Sequence, residues 1–364
     1  MTTPYQIQSP MRAQTMINGR LCDYFAGCGY LALQNDPDIL QAAAATLIRY
    51  GLANAGGYSH DHPLYAELDQ AAQQFFNTPH IRYFASGYLG NAMLAQGLSH
   101  QFDHIFIDES AHYSVGDGAR TTGKPLTTFR HCDPDDLRTK LHHHLRPGER
   151  PLLMTDGVFP VSGEIAPIPA YQQTLAPYNG LLLLDDAHAT GVLGSHGRGT
   201  LEYFHLTDPN SYTAHTLSKA LGSFGGIIAG DDTFMAQLDS HDRVRKGASL
   251  PPLPLAAAAC RALEIATRPT RRQQLWQNVA HARAGLRALG WDLPNTPVPI
   301  LCLPWQPGLD FPAIVDTLFM QNILIAHSQD YTSTPAGGAL RIAIFATHTS
   351  EQIDHLLAAL SRLL

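Results

Sequence analysis

The feature that most constrains this chain is a series of short apolar runs, each followed by a helical pattern. The runs lie at 81–84 (IRYF), 104–107 (HIFI), 126–129 (LTTF), 152–155 (LLMT), 181–185 (LLLLD), 212–216 and 226–230. A strand with one wet face alternates apolar and polar residues, whereas a strand covered on both faces does not. Runs such as LLLL therefore predict buried strands, and the stretches between them predict crossover helices over 38–51, 64–77, 90–101, 134–144, 168–177 and 233–240. The expectation is an α/β protein built on a mostly parallel, seven-stranded sheet.

Beyond about residue 250 the texture changes. PPLPLAAAACRALEIAT opens a long helix and RRQQLWQNVAHARAGLRALG continues a helical pattern. Short strands follow near 298–303 and 340–345, and SEQIDHLLAALSRLL closes the chain as a helix with Thr349 and Ser350 offering N-cap oxygens. This predicts a large domain over 45–250 and a smaller α+β domain over 251–364, the latter joined by an N-terminal segment, 1–44.

Composition excludes several classes. Of the 364 residues 45% are hydrophobic and 15% charged, below the usual quarter or so, with a net charge of −7 and no basic block. That disfavours a nucleic-acid partner. No apolar run approaches the roughly 20 residues of a membrane helix, and the first 30 residues carry no apolar signal-peptide core. Cys22, Cys28, Cys132, Cys260 and Cys302 are odd in number and form no C-x-x-C pair. They read as reduced thiols in a cytoplasmic protein, with no zinc site. The run His142–His144 lies in a polar stretch before a strand and reads as solvated, with no metal role. Arg243, Arg245 and Lys246 read as a solvated helix face.

The segment 181–191, LLLLDDAHATG, carries the first chemical signal. A buried strand ends in Asp185, with His188 three residues on. Open α/β sheets bind ligands at the carboxyl ends of their strands, where an acid can pair with a cationic ring nitrogen. Alone, Asp185 reads as well as a turn cap. Its companion is HTLSKALGSFGG, 215–226, in which Lys219 follows a strand and precedes a Gly-rich stretch. A lysine so placed is a candidate Schiff-base nucleophile; most lysines are solvated surface groups, but this chain has few, and Thr216 sits nearby.

Upstream, FASGYLGNAMLAQGL runs from strand through a Gly-containing turn to a helix. The amides of Ser86, Gly87, Tyr88 and Leu89 would face an anion there. His112 follows the strand at 104–107. An anion cradle, a buried acid, a Schiff-base lysine, a hydroxyl and two histidines together describe a pyridoxal phosphate (PLP) pocket: the cofactor needs a lysine for its aldehyde, an acid for its ring nitrogen and a cradle for its phosphate.

From about residue 23 to the C-terminus the chain resembles the α-oxoamine synthases, a family of fold-type-I PLP-dependent transferases. The matching stretches include GYLALQNDPDIL, HPLYAELD, SGYLGN, DESAHYS, TDGVFPVSGEIAPI, LLLLDDAHATGVLGSHGRG, HTLSKALGSFGG, SLPP and LRIAIFATHTSEQID. The resemblance implies that Lys219 forms the Schiff base, Asp185 pairs with the pyridine nitrogen, His112 stacks on the ring and His188 bonds its hydroxyl. Ser86, Gly87, Tyr88 and Thr216 would hold the phosphate, Arg341 the amino-acid carboxylate, and Ser249 would approach a partner subunit's cofactor. It further implies a homodimer with its site at the interface, and a reaction between an amino acid and an acyl thioester, CoA-borne or carrier-borne, with decarboxylation to an α-aminoketone. A PLP-dependent lyase, aldolase or aminotransferase, and a non-catalytic PLP-binding partner subunit, are the alternative readings.

Three positions depart from the family pattern. Cys28 stands before Gly29-Tyr30 where an Asn is usual, Pro160 stands where a Ser usually contacts the ring hydroxyl, and the segment before the H-P-L motif is compressed to GLANAGGYSHDHP. The cofactor set is intact and the substrate set is altered. Cys28 reads as a small buried thiol lining the substrate site.

Overall fold

The computed structural model describes residues 5–52, 62–241 and 248–364. Along the chain, the hairpin β1 (Gln14–Ile17) and β2 (Arg20–Phe25) leads to α1 (Pro37–Tyr50), α2 (Pro63–Phe76), β3 (His80–Phe84), α3 (Gly90–Gly97), β4 (His104–Asp108), α4 (Tyr113–Arg120), β5 (Leu126–Phe129) and α5 (Pro134–His144). Next come β6 (Pro151–Asp156), α6 (Ile168–Leu175), β7 (Leu181–Asp185), α7 (Thr200–Tyr203), β8 (Ser211–Thr216), β9 (Gly226–Gly230) and α8 (Asp232–His241). The last third holds α9 (Leu253–Thr267), α10 (Thr270–Ala288), β10 (Ile300–Pro304), α11 (Phe311–Met320), β11 (Ile323–Ser328), β12 (Ala339–Ala343) and α12 (Ser350–Leu360).

The large sheet has seven strands in the order β3-β9-β8-β7-β6-β4-β5. All its pairs are parallel except those of β9, which runs against β3 and β8. Every residue of β6 and β7 is buried, as unalternated apolar runs require. The parallel strands end together, so Asp108, Asp156, Asp185 and Thr216 fall along one edge. Register sets Asp156 directly beside Asp185.

The smaller mixed sheet has the order β1-β2-β11-β12-β10. Its first two strands come from the N-terminal segment, and β12 pairs with β10 and β11 on either side of Arg341. One continuous core joins the two sheets: Leu217 and Leu221 beyond the large sheet, Leu253 and Leu263 of α9, and Ile323, Ile325 and Ile342 of the small sheet all belong to it. The final helix starts with a capping box in which Thr349 Oγ1 accepts from Gln352 N and Gln352 Oε1 accepts from Thr349 N.

The seven large-sheet strands lie where the apolar runs put them. The helix expected over 90–101 ends at Gly97, because Gln101 N turns back to the Leu98 carbonyl and the chain enters β4. The stretch after His112, for which no helix was expected, forms α4, whose two glycines and polar face weaken its pattern. The compressed segment before His62-Pro63 and the cluster Arg243, Arg245 and Lys246 lie largely or wholly outside the described residues.

Candidate active site

Lys219 follows β8 on a Gly-rich turn whose backbone closes on itself, Gly222 N to Lys219 O and Ser223 N to Leu217 O. The lysine is half-buried and its Nζ lies 2.9 Å from Nε2 of His188. Nδ1 of His188 lies 2.8 Å from the Tyr30 hydroxyl, which also accepts from Arg341 Nη2 at 3.2 Å. A chain of polar contacts thus runs from the amine to the guanidinium. Burial, with the neighbouring Lys219 and Arg341 charges, holds His188 well below the usual imidazole range, so it is a neutral ring here.

Asp185 terminates β7 and is buried. Its Oδ1 accepts from Ala187 N at 3.0 Å; its Oδ2 accepts from Asn91 Nδ2 at 2.6 Å and Ser114 Oγ at 3.1 Å. Its neighbour in register, Asp156, accepts from the backbone N–H of His112 at 2.7 Å. Burial and the Asp185 charge push the Asp156 carboxyl well above its ordinary value. Burial and a neighbouring acid both favour the neutral form of Asp156. The second acid of the DD pair, Asp186, is structural: it accepts from the Thr200 hydroxyl at 2.6 Å and Thr200 N at 2.9 Å.

His112 caps α4. Its Nδ1 lies 2.7 Å from Ser114 Oγ and its Nε2 lies 2.7 Å from the hydroxyl of Tyr331, a residue of the loop between β11 and β12. Burial keeps its pKa below the ordinary imidazole value, with Lys219 pressing the same way and Asp185 opposing.

The turn at Ser86 is tighter than a simple row of free amides. Gly87–Leu89 form a 3₁₀ turn, so Leu89 N is spent on Ser86 O and Tyr88 N on Ser86 Oγ. This corrects the expectation that all four amides face an anion. Gly87 packs on Thr216 so closely that a Cβ would lie 2.5 Å from Thr216 Oγ1. Thr216 Oγ1 in turn lies 2.9 Å from Ser218 Oγ. The Tyr88 ring packs edge-on against His112, with centroids 6.0 Å apart, and its hydroxyl donates to Asp117.

Arg341 is buried in β12 and binds two separate parts of the chain, at Pro160 and over Gly27–Tyr30. Nε donates to the Pro160 carbonyl at 2.6 Å, Nη1 to the Gly27 carbonyl at 3.0 Å, and Nη2 reaches Cys28 Sγ at 3.8 Å as well as Tyr30. A cavity of about 170 Å³ opens beside Lys219, with Met11, Tyr24, Cys28, Ser218 and Phe345 in its lining. Ser249 is exposed before Pro251, and no hydrogen bond among the described residues joins it to the Lys219 cluster.

The structure thus gathers Lys219, His188, Asp185, His112, Thr216 and Gly87 at the carboxyl edge of the large sheet, and Arg341 reaches the cluster from the small sheet through Tyr30. Sequence reasoning passed over Tyr30, Asn91, Ser114, Asp156 and Tyr331. The first three lie inside the motifs GYL, SGYLGN and HYS, and their polar side chains were the available signal. Tyr331 sits in no such motif.

A family model for aminotransferase class I and II matches residues 30–360. A serine palmitoyltransferase of Sphingobacterium spiritivorum is 32% identical over 360 residues, covering 98% of this chain and 90% of that protein. An 8-amino-7-oxononanoate synthase of Methylococcus capsulatus is 32% identical, covering 98% and 92%. The chain is an α-oxoamine-synthase-type member of the aminotransferase class I and II family. Among solved structures, a Sphingomonas wittichii serine palmitoyltransferase matches it with a TM-score of 0.88 at 25% identity, covering 96% of this chain and 89% of that one.

In this α-oxoamine-synthase-type chain, two of the three departures meet at one place. Pro160 offers its carbonyl and Cys28 its thiol to the same guanidinium. Elsewhere on the sheet edge, Asp108, His131 and Cys132 bring ligand-type atoms within 4.8 Å of one another. There the His131 ring bridges Asp108 and Glu164 at 2.9 Å each, and those carboxylates raise its pKa to about 12 against the cost of burial. The imidazolium supplies the cation that the two acids require.

Proposed function

We propose that the protein is a PLP-dependent acyltransferase that condenses an amino acid with an acyl thioester and, with loss of carbon dioxide, yields an α-aminoketone. The observation that carries the reading is the convergence of Lys219 and Asp185 at the carboxyl edge of the sheet, joined by His188 and His112. The residues fit the cofactor. Only a glycine at 87 lets the turn lie against Thr216, which sets its backbone beside the Thr216 and Ser218 hydroxyls, polar groups that would hold a phosphate. Asp185 keeps acceptor capacity after three bonds, since a carboxylate offers about four lone-pair sites.

When bound, PLP supplies an aldehyde for an amine and a ring that accepts the electron pair released at the amino acid's α-carbon. Asp185 would pair with the ring nitrogen. His112, fixed through its backbone by Asp156 and through Nδ1 by Ser114, would stack on the ring. Lys219 would hold the aldehyde and, as a free amine, would be the base for the α-proton. His188, neutral and tied to Tyr30, receives the lysine N–H and sets the amine's position. Arg341 already donates to Pro160, Gly27, Tyr30 and Cys28, so a substrate carboxylate would take its remaining N–H and compete with the Tyr30 and Cys28 contacts. The new carbon–carbon bond joins the α-carbon to the thioester carbonyl, and the thiol leaves.

A homodimer accords with the surface of α1. Leu40, Leu47 and Ile48 form an exposed apolar face there, Ile48 at 87% exposure, and Leu52 just past the helix is 71% exposed. Monomers rarely leave such a face bare. A second copy would also bring a partner surface towards the exposed Ser249. The five free cysteines suit a reducing compartment, and we place the protein in the cytoplasm. No helix among the described residues is long and apolar enough to cross a membrane.

The test is thiol release from a panel of acyl-CoA thioesters by the PLP-loaded protein with glycine, alanine or serine. Release that requires one amino acid supports the reading. A PLP-loaded protein that exchanges the amino acid's α-proton but never releases thiol would be a lyase or aminotransferase instead.

A further inference from the structure

The loop 329–338 comes from the small sheet, yet it is fastened to the large one at three points. Tyr331 Oη lies 2.7 Å from His112 Nε2, Tyr113 Oη donates to the Asp330 carbonyl at 3.1 Å, and Val161 N donates to Ser333 Oγ at 3.2 Å. The Tyr331 ring packs against both large-domain rings, 5.8 Å from His112 and 5.5 Å edge-on to Tyr113. The loop also holds its own shape: Ser328 Oγ meets Thr334 Oγ1 at 2.7 Å and Thr334 N donates to Tyr331 O at 3.1 Å.

The His112 backbone is held by Asp156 and its Nδ1 by Ser114. The terminal torsion of histidine is broad, so a ring held at one nitrogen alone keeps room to rock. Tyr331 holds the other nitrogen, Nε2, and ties the ring at both ends. Burial raises the pKa of the Tyr331 phenol, so it stays neutral and keeps its proton for the bond. Val161 adjoins Pro160, the carbonyl partner of Arg341, so the loop also touches the segment that seats the proposed carboxylate-binding guanidinium.

We propose that Tyr331 is a positioning residue of the reaction, whose hydroxyl orients the His112 imidazole over the cofactor site and thereby tunes capture of the amino acid. This rests on the functional reading above for its kinetic consequence, though not for the contact itself. A neutral hydrogen bond is worth about fivefold in an equilibrium. The amino-acid KM should therefore rise about fivefold in Tyr331→Phe, with the thioester KM unchanged.

Two measurements decide it. The first uses protein without cofactor, labelled with 15N-histidine, with the His112 nitrogens assigned by their loss in His112→Asn. Tyr331→Phe should move the His112 Nε2 resonance, while Tyr113→Phe, which frees the loop but leaves the Tyr331 hydroxyl, should not. An unmoved resonance in Tyr331→Phe, or the same movement in Tyr113→Phe, overturns the proposal. The second is the KM split in the loaded enzyme: an equal rise for both substrates, or none, overturns the kinetic half. If the loaded enzyme releases no thiol with any substrate, the functional reading fails, and the nitrogen resonances still decide the contact.

Discussion

Nε of Arg341 donates to the carbonyl of Pro160 at 2.6 Å, so a residue that has lost its side-chain donor still serves the site through its backbone. The ring of proline removes an N–H and a hydroxyl, yet leaves a C=O and fixes φ. The usual serine donor at this position is gone, and what remains is a rigid acceptor for the guanidinium.

Arg341→Lys tests that arrangement. Lysine keeps the charge and loses the fork. The amino-acid KM should rise about ten- to hundredfold, read from initial rates at saturating thioester. Stability should fall by about 2 kcal/mol, since the buried Pro160 carbonyl loses its partner; urea denaturation measures this.

Asp185→Asn preserves shape but removes the charge and turns one acceptor into a donor facing Ala187 N or Asn91 Nδ2. Turnover should drop about hundred- to thousandfold, because the charge acts on electron density that develops only during reaction. The visible absorbance of the PLP-loaded variant should persist, since Lys219 is untouched, and rapid-mixing spectroscopy separates retained binding from lost chemistry.

His131 gives a pH signature. Its folded pKa is raised from 6.5 to about 12 by Asp108 and Glu164. A raised pKa contributes stability that is complete below the unfolded value and fades as pH climbs towards the folded one. His131→Gln should therefore cost about 3 kcal/mol near pH 6, where a buried acid is left unpaired. The gap between variant and parent should narrow steadily from pH 7 to pH 10 in thermal melts.

Ile48→Asp addresses the apolar face of α1. Ile48 is 87% exposed, so the change costs the single chain almost nothing. Sedimentation at micromolar concentration should show a dimer for the parent and a monomer for the variant. A monomeric parent would remove the homodimer from the account.

Much of the fold was legible because buried strands announce themselves. LLLLD cannot be mistaken for an amphipathic helix, and seven such runs fixed the large sheet. The hairpin β1–β2 and strand β11 were not legible: their pattern is partly exposed, and their pairing joins residues some 300 positions apart. The site was legible where one motif brings its own neighbours, as Asp185 and His188 do. It was opaque where the partner arrives from another sheet. Nothing around Tyr331 in SQDYTSTPAGG marks it as a neighbour of His112, because that adjacency is made by the docking of a loop rather than by local pattern.

The placement of Asp156 beside Asp185 has a consequence for how this molecule can fail. Strand pairing is here a chemical instruction as well as a mechanical one. A slip of β6 by a single residue would turn its acid to the opposite face. Asp185 would lose the acid that lies beside it in register, and His112 would lose its backbone anchor, while most apolar side chains of this doubly covered strand would still find cover. A misregistered chain of that kind would look folded by bulk spectroscopy and yet be inert, so specific activity per bound cofactor is a stricter assay of correct folding for this protein than secondary-structure content.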